Sequence, residues 1–191
     1  MRHVLFIQGA GSEGSHEEDR ALADSLQGHL GPEYRVWYPL MPNEADPDFD
    51  TWNQAIHAEL ERIGSAAFLV GHSIGASVLA KVLSGANAIS PKCHGLFLIA
   101  GPFWHDHAFW RWEECALSAD AGDRLPPELP VYLYHGEDDP FVPISHLGMY
   151  ANVLPQAAVH RLPGRDHQLN EDLSEIARDI TELPGSHLEL V

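Results

Sequence analysis

Short apolar runs alternate along this chain with longer stretches whose apolar residues recur every three or four positions. The runs at 4–8, 35–38, 66–70, 95–100, 131–135 and 159–162 predict strands. Residues 66–70 have the near-continuous apolar character of a strand covered on both faces of a parallel sheet. Helical stripes fall between them. Leu22, Leu26 and Leu30 share one face of a helix over 17–30, and Trp52, Ile56, Leu60 and Ile63 share one face over 52–63. Val78, Leu79, Val82 and Leu83 do the same over 76–83, and further helices are predicted at 144–154 and 169–183. Strands alternating with helices build βαβ units, so the expected architecture is α/β, with a parallel sheet and helices on both faces.

Two segments break the alternation. Residues 39–50, PLMPNEADPDFD, form a loop punctuated by prolines. Residues 101–130 form a longer connection, rich in aromatic residues up to Trp112. A connection of that length in a compact domain is usually functional or mobile. Residues 102–125 therefore read as a partial lid or as a helix flanking a cleft. Its aromatic residues Phe103, Trp104, Phe109, Trp110 and Trp112 fit two roles, an apolar wall for a small-molecule substrate or the packing of a flanking helix. Trp104, Phe109 and Trp110 are the substrate-contact candidates.

The chain has 191 residues, 45% of them hydrophobic, which bounds it to one sizeable core and a single domain over 1–191. Its net charge is -17, from 11 Lys+Arg against 28 Asp+Glu. Such a surface repels nucleic acid, anionic membranes and strongly anionic substrates. The N-terminal run MRHVLFIQGAG is too short for a signal peptide or a membrane span. Cys93 and Cys115 show neither metal spacing nor a disulfide framework, as in a cytoplasmic protein with reduced thiols.

Chemistry enters at Gly71-His72-Ser73-Ile74-Gly75, where a strand turns into a helix with almost no loop between them. So sharp a turn strains its middle residue, and the flanking glycines remove side chains that would collide there. In an open parallel sheet, ligands bind beyond the carboxyl ends of the strands. Those ends carry 8-QGAGS-12, Ser73, 135-HGEDDPFVP-143 and 163-PGRDHQLN-170. Serine, acid and histidine thus follow one another along one sheet edge in chain order.

These residues resemble the α/β-hydrolase superfamily, in particular its small serine hydrolases of carboxylesterase type. Residues 71–75 look like its nucleophile elbow. The turn at 135–143 resembles its His-Gly-x-x-Asp-x-x-Val-Pro pattern, and Gly164-Arg165-Asp166-His167 its histidine turn. The resemblance runs from Val4 to about Leu183, without the first two antiparallel strands of the full fold, and implies about six mainly parallel strands. It implies Ser73 as nucleophile, His167 as base and Asp139 as the acid, with Asp138 the alternative. A serine hydroxyl needs such a base, and the base a carboxylate to fix its tautomer. Backbone N–H groups of Ile74 and Ala10 would form the oxyanion hole, with Gly11 as runner-up for the second. Where relatives carry His-Gly before that loop, this chain has Gln8-Gly9. His72 is expected to support the elbow and His135 to hydrogen-bond within the acid turn.

Other patterns carry less. His105-Asp106-His107 offers too few ligands for a metal site, and Asp46, Asp48 and Asp50 lack the rest of a calcium loop and read as a loop and helix cap. Residues 9–14 lack the glycine spacing of a dinucleotide loop. The expected protein is a cofactor-free, metal-free serine hydrolase acting on a small acyl substrate, an ester or thioester. Amide or C–C bond hydrolysis, acyl transfer, and a hydrolase-fold binding protein with little catalysis are its rivals.

Overall fold

The computed structural model describes residues 1–85, 92–104 and 112–183. Six strands form one sheet in the order β2-β1-β3-β4-β5-β6, every neighbouring pair parallel. They are β1 (Arg2–Ile7), β2 (Tyr34–Trp37), β3 (Ala67–His72), β4 (Cys93–Ile99), β5 (Val131–Gly136) and β6 (Ala158–Leu162). The helices are α1 (Ser15–Glu18), α2 (Arg20–Leu30), α3 (Phe49–Ile63), α4 (Ile74–Ser84), α5 (Ser145–Val153) and α6 (Ser174–Glu182).

Alternation along each strand splits the core in two. Leu5, Ile7, Leu69, Leu96 and Leu98 point to the face covered by α3, α4 and α5. Val4, Phe6, Phe68, Val70 and Phe97 point to the face covered by α2 and α6. Of the predicted stripe of α3, Trp52, Ile56 and Leu60 are fully buried and Ile63 is partly buried, a fully buried aliphatic side chain contributing about 1.5–3 kcal/mol. Asp48 caps that helix, accepting the N–H of Thr51 at 2.8 Å, the cap role expected for this acidic run.

Two helices differ from expectation. The helix predicted over 17–30 is broken at Asp19, whose side chain turns inward to make buried hydrogen bonds. The helix predicted from 169 starts at Ser174 instead. Before it, Leu169, Asn170 and Glu171 take positive φ values of 50°, 55° and 58°, a left-handed turn that no regular helix accommodates. In the segment 102–125, the described residues include two short 3-10 turns, Glu113–Cys115 and Gly122–Arg124. Cys115, Ala121 and Leu125 are buried in the core beside α4. Residues 105–111 lie outside the described residues.

The topology also locates the site. From β1 the chain crosses one way to β2 and then back past β1 to β3. Helices leave in opposite directions there, opening a crevice beyond the strand ends.

Candidate active site

Strand β3 ends at His72 and α4 begins at Ile74, so Ser73 alone forms the corner. It sits at φ 51°, ψ -120°, a conformation that costs a non-glycine residue on the order of 1–3 kcal/mol. The two glycines of the motif make it attainable. A Cβ on Gly71 would lie 2.7 Å from the Ala76 nitrogen. A Cβ on Gly75 would collide with the carbonyls of Ile7 and Gln8 in β1 and the loop after it.

Ser73 lines a cavity of about 370 Å³. His167 lines it too, delivered by the turn after β6, with its side chain largely buried. The His167 Nδ1–H donates to Asp139 Oδ2 at 2.7 Å. That bond fixes the tautomer and leaves Nε2 unprotonated in the neutral ring. Asp139 is held in turn: its Oδ1 accepts the N–H groups of Phe141 (2.8 Å) and Val142 (2.9 Å), and His135 Nε2 lies 3.2 Å from its Oδ2. Burial alone would raise the Asp139 pKa, but the hydrogen bonds from His135 and His167 hold it far below the usual carboxylate range. His167 is lowered by burial; the Asp139 bond opposes this and the charge of His72 adds to it.

The other two acids of the turn face elsewhere. Glu137 pairs with Arg161 and is exposed, as is Asp138. His135 Nε2 also bonds the carbonyl of Val142 at 2.9 Å, the role expected of it.

The loop after β1 supplies the opposite wall. The Gly9 N–H is taken by Asp19 (2.6 Å) and the Gly11 N–H by the Glu44 carbonyl (2.8 Å). Among the described residues, no protein acceptor takes the N–H of Ala10 or of Ile74. Gly11, the alternative donor, is therefore occupied. Gln8 is fully buried; its Oε1 accepts the Met41 N–H and its amide donates to Glu44 at 2.7 Å. The Glu44 carboxylate also accepts the N–H groups of Gly14 (2.6 Å) and His16 (2.7 Å). So the departure at Gln8 is a clamp that ties this loop to the proline-rich loop.

Trp104, Phe141, Val142 and Pro102 form the apolar side of the cavity. Ser12, Glu18 and Gln168 form the polar side. Phe103, Trp104 and Trp112 pack against the core, Phe103 edge-on to Tyr150 at 5.1 Å and Trp104 edge-on to Trp112 at 5.5 Å. Of these three aromatic residues, Trp104 also lines the cavity. Phe109, Trp110 and His105-Asp106-His107 lie outside the described residues. Among the described residues no three His, Cys, Asp or Glu side chains cluster to hold a metal ion.

Sequence reasoning missed Asp19, Glu44, Phe141 and Gln168. Asp19 left a signal: it shares the buried stripe of Leu22, Leu26 and Leu30, where an acid must have a partner. Glu44, in an irregular loop, left none.

The sequence matches the serine hydrolase family over residues 25–173, most of its length, and the chain belongs to that family. It is similar in structure to α/β-hydrolases. The meta-cleavage product hydrolase CumD from Pseudomonas fluorescens IP01 superposes with a TM-score of 0.74 at 16% identity, covering 95% of this chain and 90% of that one. A monoacylglycerol lipase from Paleococcus ferrophilus gives 0.70 at 15% identity, covering 94% and 92%. The ydeN gene product from B. subtilis gives 0.69 at 18% identity, covering 95% and 97%. No curated protein matches the sequence. At these identities the structural likeness establishes the α/β-hydrolase fold, and the family match establishes a serine hydrolase. No helix among the described residues is long and apolar enough to cross a membrane.

Proposed function

We propose that this protein hydrolyses a small, uncharged carboxylic ester or thioester through an acyl-enzyme on Ser73. The observation that carries the reading is the His167–Asp139 hydrogen bond of 2.7 Å beside the strained Ser73, in one cavity. Ser73 Oγ attacks the acyl carbonyl and passes its proton to His167 Nε2. Asp139 holds the ring and stabilises the imidazolium formed. The N–H groups of Ala10 and Ile74 receive the oxyanion, the second at the start of α4, where the helix dipole adds to it. His167 then protonates the leaving group, and water, activated by the same ring, releases the acid.

The cavity volume suits a modest acyl group. Among the described residues no Lys or Arg lines it, and Glu18 does, which disfavours substrates carrying phosphates or carboxylates. The two unbridged thiols, Cys93 and Cys115, support a cytoplasmic location.

The test is labelling with a fluorophosphonate, wild type beside Ser73→Ala, together with p-nitrophenyl esters of increasing chain length. Labelling lost in the variant and turnover that peaks at short chains are the expected results. A wild-type protein that neither labels nor turns over any ester overturns the reading in favour of a binding protein on a hydrolase scaffold.

A further inference from the structure

Behind Ser73 lies a second acid–histidine couple that the hydrolytic mechanism does not use. His72 is 1% exposed and Asp19 2%. Both ring nitrogens of His72 face oxygen: Nδ1 lies 2.7 Å from Asp19 Oδ2, and Nε2 lies 3.0 Å from the carbonyl oxygen of His167. An ionised carboxylate and a backbone carbonyl can only accept. Both nitrogens must therefore donate, so the ring carries two protons and a positive charge. The carboxylate has the donors to stay ionised, since it also takes the Gly9 N–H at 2.6 Å and the Gln168 amide at 3.0 Å. The couple touches three parts of the site at once: the elbow through His72, the oxyanion loop through Gly9, and the histidine turn through His167 and Gln168. The His72 ring centroid is 4.7 Å from that of His167.

We propose that His72, held by Asp19 as a buried imidazolium, is a positioning residue. It locks the His167 turn and the oxyanion loop to the elbow, and its fixed positive charge keeps His167 in the neutral, proton-accepting form. The proposal rests on the triad reading of Ser73, Asp139 and His167.

The charged neighbours allow this. His72 faces Asp19 from the α1–α2 junction, His167 from the turn after β6, and Asp139 behind it. His167 faces Asp139, with His135 beyond, and His72 and Asp19 on its other side. Glu18 lines the same cavity. Tyr38 near Asp19 is kept a neutral phenol by burial and by that carboxylate. Burial alone would lower the His72 pKa, yet the Asp19 charge and hydrogen bond raise it. Asp19 shows the reverse balance: burial raises it, while His72 brings it down to about 2.

Two measurements test the proposal. In the wild-type protein, long-range proton–nitrogen NMR of the imidazoles at pH 8 should show one of the 13 histidines still protonated on both nitrogens, where an ordinary histidine is neutral. No such ring at pH 8 overturns the proposal, whether or not any variant folds. The second is the pH profile of kcat/KM. In wild type the acidic limb, set by protonation of His167, lies below pH 6.5, the ordinary value from which His167 is lowered. In His72→Gln the cation is gone and the limb should move up by roughly one to two pH units, a like charge at this distance being worth that much. A variant whose kcat/KM falls uniformly, with the limb unmoved, assigns His72 a structural role only and overturns the tuning. Wild-type fluorophosphonate labelling separates the failures: lost labelling removes the triad reading, whereas the NMR result reads His72 independently of it.

Discussion

Asp138 and Asp139 are adjacent carboxylates with opposite surroundings. Asp139 is 1% exposed at its side chain and accepts from two backbone N–H groups and from His167, whereas Asp138 is exposed. Asp139→Asn keeps the shape but reverses a donor and acceptor at Nδ1, favouring the wrong tautomer of His167. Its kcat should fall by about 10⁴. Asp138→Asn should stay within about twofold of wild type, as surface changes generally do. Steady-state kinetics on the two variants separate them, and equal losses would move the acid's role to the turn as a whole. The pattern of residues 135–143 pointed to Asp139 through family resemblance; the turn's hydrogen bonds are the physical reason it faces the histidine.

At the scale of elements, the elbow depends on how closely α4 can approach β1. Gly75 sits where any Cβ would strike the carbonyls of Ile7 and Gln8. Both are fixed, one in the β1 ladder and one at the start of the loop after it, so neither can yield cheaply. Gly75→Ala should therefore destabilise by at least about 1–3 kcal/mol, the usual cost of overpacking, as read by chemical denaturation. A near-neutral variant would mean that strand and helix separate more easily than this packing implies. The left-handed turn at 169–171 plays a similar part for His167. Asn170 braces it by accepting the Asp166 N–H at 3.1 Å and donating to the Gly164 carbonyl at 3.0 Å. The apolar stripe there, Leu169, Leu173, Ile176 and Ile180, resembled one helix because a left-handed turn leaves no mark on hydrophobic period.

For the whole molecule, pH is the sharpest probe of stability. Burial raises the Asp19 pKa and its partner His72 brings it down to about 2; Asp172 is brought to about 2 chiefly by the Ser174 N–H. Groups depressed on folding stabilise fully above their unfolded values, near pH 4, and that stability is lost as pH falls through the folded ones. The unfolding temperature should thus hold between about pH 7 and 5 and drop progressively from about pH 4 toward 2. Calorimetry across this range checks it; an unfolding temperature that rises on acidification would mean that relief of repulsion at net charge -17 outweighs the loss of these pairs.

The sequence by itself determined the order of strands and helices, because burial on a two-faced sheet dictates short apolar runs and amphipathic stripes. It also determined the elbow at Ser73, because only glycines permit that corner, and it put serine, acid and histidine turns at one sheet edge. Tertiary structure decided what pairs across distance. Asp19 interrupts a helix to meet His72, 53 residues away. Gln8 takes Glu44, and of Phe103, Trp104 and Trp112, which all pack on the core, Trp104 also lines the cavity. No local pattern encodes those choices, since each depends on which polar group or apolar surface the folded chain brings opposite, and on the cost of leaving a buried polar group without a partner.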